Sequence, residues 1–220
     1  MKVFSSKNNT GKVKYETLIN IYNGNPVYKE EVNYKNMQKL LEILDKHLKL
    51  SRPDFYSKLN VPLKENEIQA LEEQFSITLP ADLKALYQWK NGQNAQCYDS
   101  FVNNSMFMTL EEALDDAKEM TEMIGFDFEI DNWWNENWIP LFHNGGGDHI
   151  CYDMGGTFTG QKGQLIEFWH ADNDRNVIAP DLKSFIEAIN QFYGTKPVME
   201  FDEYFEVDNI KDFPKRFYLE

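Results

Sequence analysis

Cysteine is nearly absent. Cys97 and Cys151 are the only two in 220 residues, too few for the disulfide framework of a small secreted domain. No pair of cysteines stands at metal-binding spacing, and there is no His-Glu-x-x-His run. Cationic side chains are also scarce, with 22 Lys plus Arg against 36 Asp plus Glu and a formal net charge of -14. Such a surface repels nucleic acid and anionic membranes and draws in basic proteins, although ordinary solubility accounts for acidity as well. No apolar run approaches the roughly 20 residues that span a bilayer, and no solenoid repeat is visible. The opening MKVFSSKNNTGKVK has basic residues but no apolar stretch behind them, so a cleaved secretion signal is not expected and the cytoplasm is the expected location. What is abundant is apolar and aromatic material, 42% and 15% of the chain, enough for a substantial core.

The richest stretch is Trp133 to Asp153, WWNENWIPLFHNGGGDHICYD. It holds three of the five tryptophans and the only run of three glycines. Trp138 to Phe142 and Asp148 to Asp153 flank Asn144, Gly145, Gly146 and Gly147, the pattern of two antiparallel strands joined by a glycine-rich turn. Positive φ explains the glycines better than a phosphate cradle, because no P-loop lysine and no helix follow.

Around this hairpin the chain divides into regions. Residues 13–32 alternate about Asn23 to Pro26 and predict a first hairpin, followed by a helix carrying Tyr34, Met37, Leu40, Leu41, Leu44 and Leu48. Ser51, Arg52 and Pro53 end that helix, so residues 1–60 read as an N-terminal extension. In residues 61–195, Ile68, Leu71 and Phe75 share a helical face. Pro80 suits the first turn of a second helix, with Leu83, Leu86 and Tyr87 inward and Gly92 as its stop. Thr109 and Glu112 form a capping box for a third helix running to about Gly125. Gly163 to His170 predicts a strand. Asp181 caps a last helix carrying Leu182, Phe185, Ile186, Ile189 and Phe192, stopped at Gly194. Residues 196–220 are a tail in which Met199 to Val207 alternate as a candidate edge strand. The order predicts an α+β fold with a mostly antiparallel central sheet and flanking helices.

Several residues have chemistry to weigh. His143, Asp148, His149 and Asp153 are the right types for zinc or iron, but Asp148 and His149 point to opposite faces of a strand, and Asp153 joins His149 only if the strand stays regular. Turn-capping aspartates are the simpler reading, and no metal or cofactor is expected. His170, Asp172 and Asp174 lack the glycine and distal glutamate of a calcium loop. Cys151 lies inside a predicted strand, where a buried thiol is commoner than a nucleophile activated by His149 or His170. No catalytic set emerges. Trp133 and Trp134, beside Asp131, Asn132, Asn135 and Glu136, form instead an aromatic and acidic setting that would anchor a basic protein surface, although either indole could fold back on the hairpin. Trp133, Trp134, Glu136, Asp172 and Asp174 are therefore the candidate partner contacts.

The segments ITLPADLKALYQWKNG, MTLEEA, NWIPLFHNGGGDHICYDM and DLKSFIEAI, in that order, resemble the SUKH superfamily over roughly residues 63–193. The residues that carry the likeness are Pro80, Gly92, Trp138, Pro140, Gly146, Asp148 and Asp153. Members of this superfamily include fungal cell-wall regulators and many bacterial immunity proteins that neutralise polymorphic toxins. The resemblance implies a SUKH-like α+β fold and stoichiometric binding to a cognate toxin, commonly a nuclease and so a basic protein. The acidic charge balance adds the expectation of no direct nucleic-acid or membrane binding. An intracellular scaffold or regulator is the alternative, and a hydrolase built on the central His and Asp residues is a weaker one.

Overall fold

The computed structural model describes residues 3–7, 13–22, 25–195, 206–207 and 209–220, with side chains from residue 36 onward. Its centre is a six-stranded antiparallel meander in which each strand pairs with its sequence neighbour. The strands are β4 (Met106–Phe107), β5 (Trp138–His143), β6 (His149–Asp153), β7 (Gln164–Phe168), β8 (Asp174–Ala179) and β9 (Lys215–Tyr218). Three earlier strands, β1 (Val3–Lys7), β2 (Val13–Tyr22) and β3 (Asn25–Tyr28), make a separate antiparallel sheet. The helices are α1 (Lys29–Ser51), α2 (Pro53–Ser57), α3 (Glu65–Gln74), α4 (Ala81–Trp89), α5 (Leu110–Glu122) and α6 (Leu182–Thr195). This is the α+β architecture that the order of patterns predicts.

Both faces of the meander are covered, so its strands read as near-continuous apolar runs rather than as alternation. One face carries Ile139, Leu141, Phe142, Ile150, Tyr152, Leu165, Ile178 and Ala179 into a core shared with α1, α4, α5 and α6. The other carries Trp138, Cys151, Ile166, Phe168 and Val177 into a second core, closed by Trp134 with Phe128, Phe158, Phe213 and Phe217 around it. β6 stays regular, so His149, Cys151 and Asp153 share one face and Ile150 and Tyr152 the other. In β5 the register shifts between Pro140 and Phe142, placing a proline at an irregularity of the ladder.

The N-terminal region departs from expectation in one respect. α1 is not outside the main body: Met37, Leu41, Leu44 and Leu48 are buried in the first core, and the helix packs on α4 and α6. Asn190 of α6 donates to the Leu40 carbonyl at 3.0 Å, and Trp89 of α4 donates to Asp45 at 3.2 Å. Four apolar residues at helical spacing are a buried stripe, and the faces of α4 and α6 are what it buries against. At the other end, the expected edge strand over Met199 to Val207 falls mainly on 199–205, outside the described residues. Residues 206–207 are not in a strand, and β9 is the strand that borders β8.

Candidate partner-binding face

The hairpin tip is held by its polar residues. Asn144 Oδ1 accepts from the backbone of Gly146 at 2.7 Å and of Asp148 at 3.1 Å, while its Nδ2 donates to Asp148 Oδ2 at 2.7 Å. Gly145 and Gly147 have φ of +76° and +101°, and a Cβ on Gly147 would also press on the His170 ring at 3.1 Å. These two glycines are there for the backbone. The other Asp148 oxygen accepts the His170 backbone N–H at 2.9 Å and lies 2.8 Å from His170 Nδ1. Burial opposes ionisation of Asp148, but the hydrogen bonds from His170 and Asn144 outweigh it and hold the carboxyl below the usual carboxylate range.

At the far end of β6, Asp153 is 0% exposed and closes the loop that leads to β7. Its carboxylate accepts from the backbone of Gly155 at 2.8 Å, Gly156 at 3.0 Å and Thr157, and from Gln164 Nε2 at 2.7 Å. Between the two ends, His149 Nε2 lies 3.5 Å from Asp116 Oδ2, and its Nδ1 is buried without a partner among the described residues. His143 is half-buried, and burial lowers its pKa, with His149 adding to the effect. The structure therefore sets Asp148 and Asp153 at opposite ends of β6, each holding a loop, while His143 and His149 are cross-strand neighbours. Among the described residues no group of three His, Cys, Asp or Glu is placed to hold a metal ion. Burial pushes both thiols up, Cys151 well above its ordinary value, so neither is an activated nucleophile.

The aromatic and acidic residues are organised by a side chain that the sequence reading passed over. Arg175 is 0% exposed and donates to the carbonyls of Trp133 at 2.9 Å, Asp172 at 2.6 Å, Asp174 at 2.8 Å and Trp169 at 3.3 Å. Its guanidinium also stands over the Trp133 ring at 4.8 Å and the Phe168 ring at 4.7 Å. Burial pulls its pKa down to about 10, still far above neutrality. One buried cation thus fastens the loop before β5 to the loop before β8, and it gathers Trp133, Asp172 and Asp174 into one neighbourhood. Tyr218 of β9, 68% exposed, is the cross-strand partner of Asp174 on the same rim.

Two of the expected contacts lie elsewhere. Trp134 is not an exposed anchor: it is 2% exposed, packs edge-on to Trp138 and Phe168 with centroids 5.6 and 5.2 Å away, and donates its indole N–H to Thr121 at 3.3 Å. Consecutive residues in this loop face opposite ways, and the second apolar face of the sheet needs a lid. Glu136 is exposed but borders a different groove, between α5 and the start of β5. The signal for Arg175 was present as a lone cation before the apolar run Asn176 to Ala179. Four Asp or Asn residues within HADNDRN masked it.

Of the residues that carry the family likeness, Pro80 is the N-cap of α4 and Trp138 is wholly buried, donating its indole N–H to Thr157 at 3.2 Å. Among the described residues no helix is long and apolar enough to cross a membrane. A family model described as SMI1 / KNR4 family (SUKH-1) matches residues 62–188. A search of curated proteins gives no match.

Proposed function

Since the chain belongs to the SMI1 / KNR4 family (SUKH-1), we propose that it is an immunity protein that binds a cognate toxin stoichiometrically in the cytoplasm and performs no catalysis of its own. The toxin of this reading is a basic, nuclease-type protein. The family match carries the proposal, and the formal charge of -14 adds to it, because an acidic inhibitor is steered to a basic active site and competes there with nucleic acid. The rim of Trp133, Asp172, Asp174 and Tyr218 supplies contact chemistry of the matching kind: aromatic area beside carboxylates, on loops that Arg175 holds in place.

The experiment is co-expression with the toxin domain encoded beside this gene, scoring host survival and recovery of a complex. Survival with a one-to-one complex whose association rate falls as salt is raised from 50 to 500 mM is the expected result. Continued killing with no complex would refute an immunity role against that toxin and favour a regulatory binding module.

A further inference from the structure

One cleft on the meander has an electrostatic design that the fold does not use. It has a volume of about 470 Å³, within the range of small-ligand sites. Its floor is a cross-strand row in which Ile150 of β6 faces Glu167 of β7, Glu167 faces Asn176 of β8, and Asn176 faces Arg216 of β9. Asp148, Trp169 and Glu206 stand on its walls.

The floor is short of donors. Asn176 is 5% exposed; its Nδ2 donates to Glu167 Oε2 at 3.1 Å, while its Oδ1, sealed from solvent, has no partner among the described residues. A buried amide oxygen without a donor costs about 1–3 kcal/mol, and native proteins seldom leave one. Glu167, its neighbour, has Asn176 as its only hydrogen-bond partner among the described residues. Burial raises its pKa against the hydrogen bond from Asn176, and the nearby charges of Glu206 and Asp148 push it up while Arg216 partly offsets them. Three carboxylates thus line the cleft with one guanidinium; Asp148 is satisfied by His170 and Asn144, whereas Glu167 has a single donor. The missing complement is a cation with several N–H groups.

We propose that this cleft receives an arginine side chain of the protein partner, with the Glu167 carboxylate as the acceptor, held from behind by the Asn176 amide, and the Trp169 ring as a wall. A planar guanidinium offers two donors side by side and a face that lies against an indole, which an ammonium does not. The assignment rests on the partner-binding reading above and names what the partner presents.

The test needs no toxin. Blocked arginine (Nα-acetyl-arginine methylamide), blocked lysine and blocked citrulline, the neutral isostere, are titrated into the isotope-labelled full chain, following the Trp169 indole and Asn176 side-chain amide signals by NMR. Expected is a saturable shift with arginine, at least tenfold weaker binding of lysine, and no response to citrulline. Glu167→Gln, which keeps the shape and an acceptor for Asn176, is expected to weaken arginine at least tenfold, and Trp169→Leu to do so with the carboxylates intact. An equal response to citrulline, equal binding of lysine, an unaltered response in well-folded Glu167→Gln, or no response at tens of millimolar arginine would each overturn the assignment. The protection assay separates the two ideas: a chain that rescues the host yet ignores arginine keeps the immunity reading and loses the cleft.

Discussion

Asp153 carries more hydrogen bonds than any other side chain on β6, and all of them hold the chain where it leaves the strand. Three backbone N–H groups and the Gln164 amide converge on a carboxylate that water does not reach. Asp153→Ala would strand those donors, and the loss expected is on the order of 3–5 kcal/mol. Urea unfolding should show it as a lower midpoint at unchanged slope, and a change under 1 kcal/mol would mean the loop closes without it. Glu167 predicts the opposite sign. Burial raises its pKa above the ordinary 4.5, so the unfolded chain releases this proton first. The contribution of Glu167 to stability is complete below pH 4.5 and is lost as pH rises through the higher folded value. Glu167→Gln should therefore be more stable than the parent at pH 7, with the difference shrinking as pH falls through the raised folded value toward 4.5 and gone below it. Thermal melts of both proteins from pH 4 to pH 8 check this, and a parallel pair of curves would refute it. A carboxylate that destabilises the free protein at neutral pH is what a site awaiting a cation would contain.

Two glycines separate helix stops that look alike as sequence. Gly92, after α4, has φ of +71°, and a Cβ there would lie 2.5 Å from the backbone of Met108 and Thr109. The segment after α4 and the start of α5 thus touch backbone to backbone, an approach only glycine permits. Gly92→Ala should cost at least about 3 kcal/mol, because the obstacle is main chain and cannot turn aside. Gly194 was expected to stop α6 in the same way, but the helix runs through it to Thr195, with nothing within 4 Å of its Cβ position. Gly194→Ala should stabilise by about 0.5–1 kcal/mol. A pair of thermal melts moving in the same direction would contradict this assignment of roles. Elements that carry their own punctuation were the legible ones. The Thr109 and Glu112 capping box starts α5, Asp181 accepts the Ser184 N–H at the start of α6, and the glycine-rich turn joins β5 to β6. β4 has two residues, and β8 opens on Asp174, Arg175 and Asn176; neither has a period to detect, and pairing to β5, and to β7 and β9, is what defines them. Trp133 and Trp134 show the same limit at the candidate site, since composition marked both and only the second core decides which one is buried.

At the scale of the molecule, the family model begins at residue 62, whereas the first core draws on α1 from Met37 onward. Periodicity gave α1 its face but could not say what that face meets, which is why the region reads as separable in sequence. The energetics say otherwise. Four fully buried apolar side chains, Met37, Leu41, Leu44 and Leu48, contribute about 1.5–3 kcal/mol each, or roughly 6–12 kcal/mol together. That is comparable to the whole stability of an ordinary domain, about 5–15 kcal/mol. A fragment starting at residue 62 would also expose the faces of α4 and α6 that α1 covers, and Asn190 and Trp89 would lose their partners on it. Such a fragment should lack a cooperative thermal transition, bind a hydrophobic dye, and lose near-ultraviolet circular dichroism while keeping helical signal in the far ultraviolet. A fragment that melts cooperatively near the temperature of the full chain would show that residues 62 onward fold without α1 and that the extension is a separable part after all.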